Sequence, residues 1–282
     1  MLLRIMISGL VIAMTCFAAL HSGMDNYKTG QWHRDQVAVL MYHHLHSVDE
    51  SSSTITPERF EAQLTYLLEQ GYAFITLDDF RSYLDGGTVP DNALLVTFDD
   101  GYESFYTEGF PILEKLGIPA VNFAITQDTL NPNASYIPYM SEAQITELKG
   151  IAPQLIEIQC HTHALHNKLG DDALLTTRLP LESGQESDAE YHQRIVQDTR
   201  TCFSILEAAN AGPVDAFAYP FGIYSKDAIQ AIQEGGVRYA FTIAPGMATR
   251  STNRYAIPRI NAGNPKITPE YLHKAIQRRA RP

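Results

Sequence analysis

Four short polar clusters in this chain carry side chains suited to metal-assisted hydrolysis. They are Tyr42-His43-His44, Asp99-Asp100-Gly101-Tyr102, His161-Thr162-His163-Ala164-Leu165-His166 and Tyr219-Pro220-Phe221-Gly222. Adjacent carboxylates are costly together unless a cation separates their roles. Two or more histidines on one turn can ligate a borderline divalent ion. A carboxylate with two imidazoles and open positions suits zinc, iron, cobalt or nickel. Such an ion polarises an acyl carbonyl and activates a water. A second aspartate could take the water's proton, and a histidine across the site could protonate a leaving nitrogen. That set is complete for hydrolysing an amide or an ester.

Each cluster alone has a plainer reading. Asp-Asp-Gly is a common turn. His-x-His occurs on surfaces, His43 or His44 could be a core histidine, and Tyr-Pro-Phe-Gly could be only the turn after a strand. Their shared position tips the balance, because each directly follows an apolar run. Residues 37–41, 93–98, 155–160 and 216–219 read as strands, the first apolar on both faces. Further strands are expected at 72–76, 120–125 and 239–243, with a short extended piece at 255–260.

Helical patterns separate these strands. Thr56-Pro57-Glu58 is a helix start, with a capping threonine, proline at the first turn and an acid suited to the dipole. Phe60, Leu64, Leu67 and Leu68 follow at helical spacing until Gly71. Helices are also expected at 76–84, 110–116, 141–148, 190–209, 226–234 and 268–278, and 167–188 reads as a long surface loop. Alternation of strand and helix about seven times predicts a parallel sheet, either open or closed into a barrel. In both, functional groups collect at the C-terminal ends of the strands.

The chain has 282 residues, 45% of them hydrophobic, and a formal net charge of −11. This suits one large α/β domain, placed at 37–282. An acidic chain is a poor nucleic-acid binder and gains little from an anionic membrane surface. Arg4 precedes an apolar run, Ile5 to Leu20, broken by Ser8, Gly9 and Thr15. Residues 1–23 therefore read as a signal peptide or membrane anchor and 24–36 as a polar tether, which predicts export to the cell envelope or beyond. With Cys16 in the leader, Cys160 and Cys202 make no disulfide framework, and their pairing stays open. The absence of Cys-x-x-Cys argues against a structural zinc site.

The motifs resemble those of the NodB-homology polysaccharide deacetylases, carbohydrate esterase family four, over roughly residues 37–262. Thr97-Phe98-Asp99-Asp100-Gly101 matches the family's T-F-D-D-G. That match implies Asp99 as catalytic base and Asp100 as metal ligand. His161-Thr162-His163-Ala164-Leu165-His166 looks like the H-[ST]-x-x-L-H form of the subgroup that deacetylates poly-β-1,6-N-acetylglucosamine. It implies His161 and His166 as ligands and His163 as a neighbour, although spacing alone admits His163.

Ala218-Tyr219-Pro220-Phe221-Gly222 resembles the third motif, with Ala218 where many members carry the arginine that orients the catalytic aspartate. The Phe221 amide would stabilise the oxyanion, with Tyr219 and Tyr102 in the pocket. Leu40-Met41-Tyr42-His43 looks like the permuted last motif, implying His43 as general acid and Met41 near the acetyl methyl. The fourth motif has no clear counterpart. The single tryptophan, Trp32, lies far upstream, and Ile257-Pro258-Arg259-Ile260 resembles the segment found at that place in related sequences.

The resemblance implies a distorted (β/α)7 barrel, a divalent metal with zinc first and cobalt, nickel or iron as alternatives, and a polysaccharide substrate. Peptidoglycan and chitin-like oligomers are the alternative substrates. An O-acetyl esterase and a catalytically inactive carbohydrate-binding protein are the competing functions.

Overall fold

The computed structural model describes residues 30–280 apart from 50, 183 and 210–212. The leader read at 1–23, with Cys16, lies outside the described residues. Among the described residues, eight strands form one parallel sheet. They are β1 (Val37–Tyr42), β2 (Ala73–Phe74), β3 (Ala93–Phe98), β4 (Ala120–Ala124), β5 (Ile156–Cys160), β6 (Ala216–Ala218), β7 (Tyr239–Phe241) and β8 (Ile260–Asn261). The ladder order is β7-β6-β5-β4-β3-β1-β8, and β2 pairs with the start of β3. The sheet curls into a distorted half-barrel. Between β7 and β8 the chain is held by single bridges, Phe241 to Ile257 and Val37 to Ala248.

Side chains alternate across this sheet as the two-residue period of a strand demands. Ala38, Leu40, Tyr42, Leu94, Val96 and Phe98 belong to the core between sheet and helices. Val37, Val39, Ala93, Leu95, Val121, Phe123, Ala218 and Phe241 fill the concave side. The strands are apolar on both faces because both faces are covered.

The helices are α1 (Pro57–Glu69), α2 (Leu77–Leu84), α3 (Phe110–Leu116), α4 (Thr126–Leu130), α5 (Glu142–Ile151), α6 (Asp188–Ala209), α7 (Lys226–Gly235) and α8 (Pro269–Gln277). Thr56, Thr76, Ser141, Ser225 and Thr268 each cap the helix that follows, accepting a backbone N–H of its first turn. Most helices lie outside the sheet. The exception is α2, whose Leu77, Phe80, Tyr83 and Leu84 join the concave core. Its Arg81 bonds Asp215 and Glu157, which flank the starts of β6 and β5. So α2 plugs the barrel at the strand starts and leaves the strand ends open for chemistry.

Three local expectations change. The loop at 167–188 carries two tiny hairpins, 168–169 with 172–173 and 180–181 with 184–185. A five-residue π-helical turn, Phe105–Gly109, precedes α3. Within the stretch read as a tether, residues 30–36 are docked. His33 is buried, and the Trp32 indole donates to the Gln70 carbonyl and meets His273 of α8 edge-on.

Candidate active site

Four strand ends converge at the open rim. Thr97 and Asp99 continue the concave register of Leu95 past the end of β3. Beneath them lies Arg259, fully buried. Its guanidinium donates to Asp99 Oδ1 at 2.6 Å, Asp99 Oδ2 at 2.7 Å, Thr97 Oγ1 at 3.2 Å and the Thr242 carbonyl at 2.8 Å. This is a two-pronged charge-assisted grip. Burial raises the Asp99 carboxyl's pKa, but Arg259 outweighs burial and holds it below the ordinary range. Ala218 stands where the family's arginine is expected, and Arg259, arriving from the other side of the sheet's gap, supplies the missing charge.

Asp100 faces a second set of partners. His161 Nε2 and His166 Nε2 each lie 3.3 Å from Asp100 Oδ1. His161 Nδ1 donates to the Ala218 carbonyl at 2.8 Å. That bond places a proton on Nδ1, so that Nε2, which faces the Asp100 carboxylate, is the nitrogen available to a cation. Burial and the neighbouring His161 push His166 down to about 4, so it is neutral at physiological pH. Two imidazole nitrogens and a carboxylate oxygen thus converge within ligating distance of one another. Such a donor set fits a divalent cation of borderline softness. The Asp100–His161 pair overrides the burial of both groups, lowering the carboxyl and raising the imidazole. Burial and the nearby Asp100 charge push the Tyr102 hydroxyl up, and its ring stacks on Tyr139, 5.2 Å between ring centres.

His43 stands on the other flank, its Nε2 3.8 Å from Asp99 Oδ2. A cavity of about 220 Å³ is lined by His43, Asp99, Asp100, His161 and His166, and by Tyr219, Phe221 and Ser53. The Phe221 ring packs on His166 at 4.7 Å. Tyr219 is buried, with its hydroxyl given to the Tyr255 carbonyl at 2.9 Å. Met41 and Tyr102, expected in the pocket, lie outside this lining. Met41 sits a layer below on the concave face, paired in register with Thr97. His163 stands apart from the group of Asp100, His161 and His166, since its Nδ1 faces Thr126 Oγ1 at 3.0 Å.

Backbone strain concentrates here. Asp100, Thr162 and Phe221 all have positive φ, at 74°, 75° and 59°. Non-glycine residues in this region are uncommon and gather at functional sites. Gly101 follows at φ 80°, and a Cβ there would lie 3.0 Å from the Ala124 backbone. Gly101→Ala should therefore cost at least about 1–3 kcal/mol of stability, read from urea unfolding.

Comparison with known proteins follows the same geometry. A family model described as polysaccharide deacetylase matches residues 86–240, more than half of the chain. The chain belongs to the polysaccharide deacetylase family. The matched span includes Asp99, Asp100, His161, His166 and Phe221, whereas His43 and Arg259 lie outside it. A poly-beta-1,6-N-acetyl-D-glucosamine N-deacetylase of Staphylococcus epidermidis is 29% identical over 212 residues, covering 75% of this chain and 68% of that protein. The BpsB deacetylase domain from Bordetella bronchiseptica superposes with a TM-score of 0.69 at 26% identity, covering 80% of this chain and 96% of that one. IcaB from Ammonifex degensii gives 0.68 at 25%, covering 86% and 97%.

A second cluster, His44, His46 and Asp49, also brings ligand-type atoms together in this deacetylase. Three of its four ring nitrogens are already engaged. His44 faces Ser104 Oγ at 2.8 Å and Asp49 at 3.2 Å, while His46 Nδ1 accepts the Asp49 amide at 2.8 Å. The cluster reads as a lock on the loop after β1.

Proposed function

We propose that this polysaccharide deacetylase removes N-acetyl groups from N-acetylglucosamine units of an extracellular polymer, with the β-1,6-linked polymer as its substrate. The observation that carries the reading is the pairing of two sites at one rim. The convergent donors of Asp100, His161 and His166 lie beside an Asp99 that Arg259 keeps ionised and His43 faces. The names of the relatives above support the choice of linkage.

Asp100, His161 and His166 would hold the cation, with zinc first by donor set. When bound, the ion supplies Lewis acidity toward an acyl oxygen and a lowered pKa for water. Asp99 accepts the proton of the attacking water, its carboxylate aimed by the two bonds from Arg259. The Phe221 amide donates to the oxyanion. His43 protonates the departing amine, so the products are acetate and a glucosamine unit. The cavity is of a size to take the acetamido group and leaves the polymer at the open rim.

Export is supported by two features. The leading apolar run has the make-up of a targeting or anchoring segment. The Cys160–Cys202 disulfide suits an oxidising compartment. Among the described residues no helix is long and apolar enough to cross a membrane.

Acetate release from β-1,6 and β-1,4 oligomers of N-acetylglucosamine, with zinc or chelator, tests the proposal. Release from the β-1,6 oligomer that chelator abolishes is the expected result. Preference for β-1,4 oligomers would move the substrate to peptidoglycan or chitin-like chains. Loss of O-acetyl groups alone would make the chain an esterase. In the same samples, zinc at about 100 times its Kd should add about 2.7 kcal/mol of stability, visible as a raised Tm.

A further inference from the structure

The two histidines of the triad sit at the ends of one turn, and that turn is under strain. Thr162, directly after His161, has φ 75°. A β-branched residue keeps such a conformation only where its surroundings over-determine it. The sheet reaches only the first residue of the turn, where the His161 amide donates to the Ala124 carbonyl at 2.9 Å, and β5 ends at Cys160. Other elements hold the rest. The first amides of α4, Thr126 and Gln127, donate to the Thr162 and His163 carbonyls at 3.2 and 3.0 Å. From the opposite side comes α6. Asp198 is buried, and its two carboxylate oxygens separately accept the amides of His163, at 2.9 Å, and Ala164, at 2.8 Å. Four residues further along, on the same face of α6, Cys202 is bonded to Cys160, the residue before His161.

We infer that α6 is a clamp on the metal-binding turn, with Asp198 as a positioning residue and the Cys160–Cys202 disulfide as its covalent second point. Asp198 touches no ligand atom. It fixes two of the four residues that separate His161 from His166, His163 and Ala164, while the disulfide fixes the residue on the other side of His161. Together they preset the spacing of the two imidazoles before any ion arrives. An asparagine at 198 would keep one acceptor and set an N–H₂ donor against an amide donor, so the isosteric change is not a neutral one. The disulfide makes the preset sensitive to reduction.

This inference rests on the triad being the metal site, and the test separates the two. The zinc Kd of the full chain is measured by competition with a chromophoric chelator, and its cobalt absorption spectrum is recorded. For Asp198→Asn the expected Kd is about 10–100-fold higher, the range for outer partners of metal ligands, with a changed cobalt spectrum. For the paired change Cys160→Ala with Cys202→Ala the expected Kd also rises, and combining it with Asp198→Asn gives less than the product of the two effects, because both act on one turn. A merely structural Asp198 would lower the Tm of the metal-free protein but leave the Kd and the cobalt spectrum of the folded protein unchanged, and that result overturns the clamp. If Asp198→Asn does not fold, an unchanged Kd in the cysteine variant overturns it instead. Absence of zinc binding by the unaltered chain would remove the triad reading itself.

Discussion

Replacing Asp99 by asparagine lowers kcat for deacetylation by about 10²–10⁴-fold, the usual worth of a positioned general base. Zinc affinity stays within a few-fold of the parent. The split follows from the geometry, in which Asp99 takes its bonds from Arg259 while Asp100 receives both histidines. The substitution is isosteric but leaves the buried Arg259 facing a neutral amide, so some stability is also lost. Activity is therefore compared per folded, metal-loaded molecule. If zinc affinity falls along with kcat, Asp99 is a ligand and the roles of the two aspartates must be exchanged.

Arg259→Leu should be the most destabilising change at the site, costing about 3–5 kcal/mol, because it leaves the Asp99 carboxylate buried without its partner. The pH dependence has a definite sign. In the parent the Asp99 carboxyl is depressed by Arg259. The stabilisation from the pair is complete above the unfolded carboxyl value of about 3.9 and fades as pH falls through the folded value. In the variant burial, opposed only by the weaker pull of His161 and His43, raises the carboxyl. Its stability then falls as pH rises through that raised value, so the gap between parent and variant widens from acid to neutral pH. The acid limb of the kcat profile moves up for the same reason. Urea unfolding and rate profiles across pH 4 to 8 would check both. Equal stability of the two proteins at neutral pH would show that Arg259 is not the counter-charge of Asp99.

The arrangement around Arg259 marks where the sequence stops being readable. Asp99, His161, Tyr219 and His43 could be placed at strand ends because each pairs an apolar run with polar residues a few positions later. That signal is local, and the sheet preserves it. The bond from Arg259 to Asp99 spans 160 residues and comes from a segment outside any strand or helix. A clue was present: Arg259 is a lone charge among Ile257, Pro258 and Ile260, in a chain where Ala218 had removed the expected arginine. An arginine in so apolar a setting is buried against a carboxylate more readily than it is solvated.

Other features were opaque for different reasons. The five residues of α4 are too few to show helical periodicity, yet its first amides hold the turn between His161 and His166. The pairing of Cys160 with Cys202 depends on which face of α6 meets β5, and spacing does not reveal that. The plug formed by α2 reads as an ordinary amphipathic helix until its partners on the concave face are known. The placement of His163 was ambiguous by spacing; its Nδ1 faces Thr126 Oγ1, apart from the group formed by Asp100, His161 and His166.

We propose that one divalent cation on Asp100, His161 and His166 carries the deacetylase activity of this chain. Titrating zinc into chelator-stripped protein while following acetate release from a β-1,6-linked N-acetylglucosamine oligomer tests it most directly. Activity should rise from baseline, reach a plateau at one equivalent, and stay at baseline throughout for Asp100→Ala. Full activity in stripped protein, or an unchanged titration for Asp100→Ala, would contradict the claim.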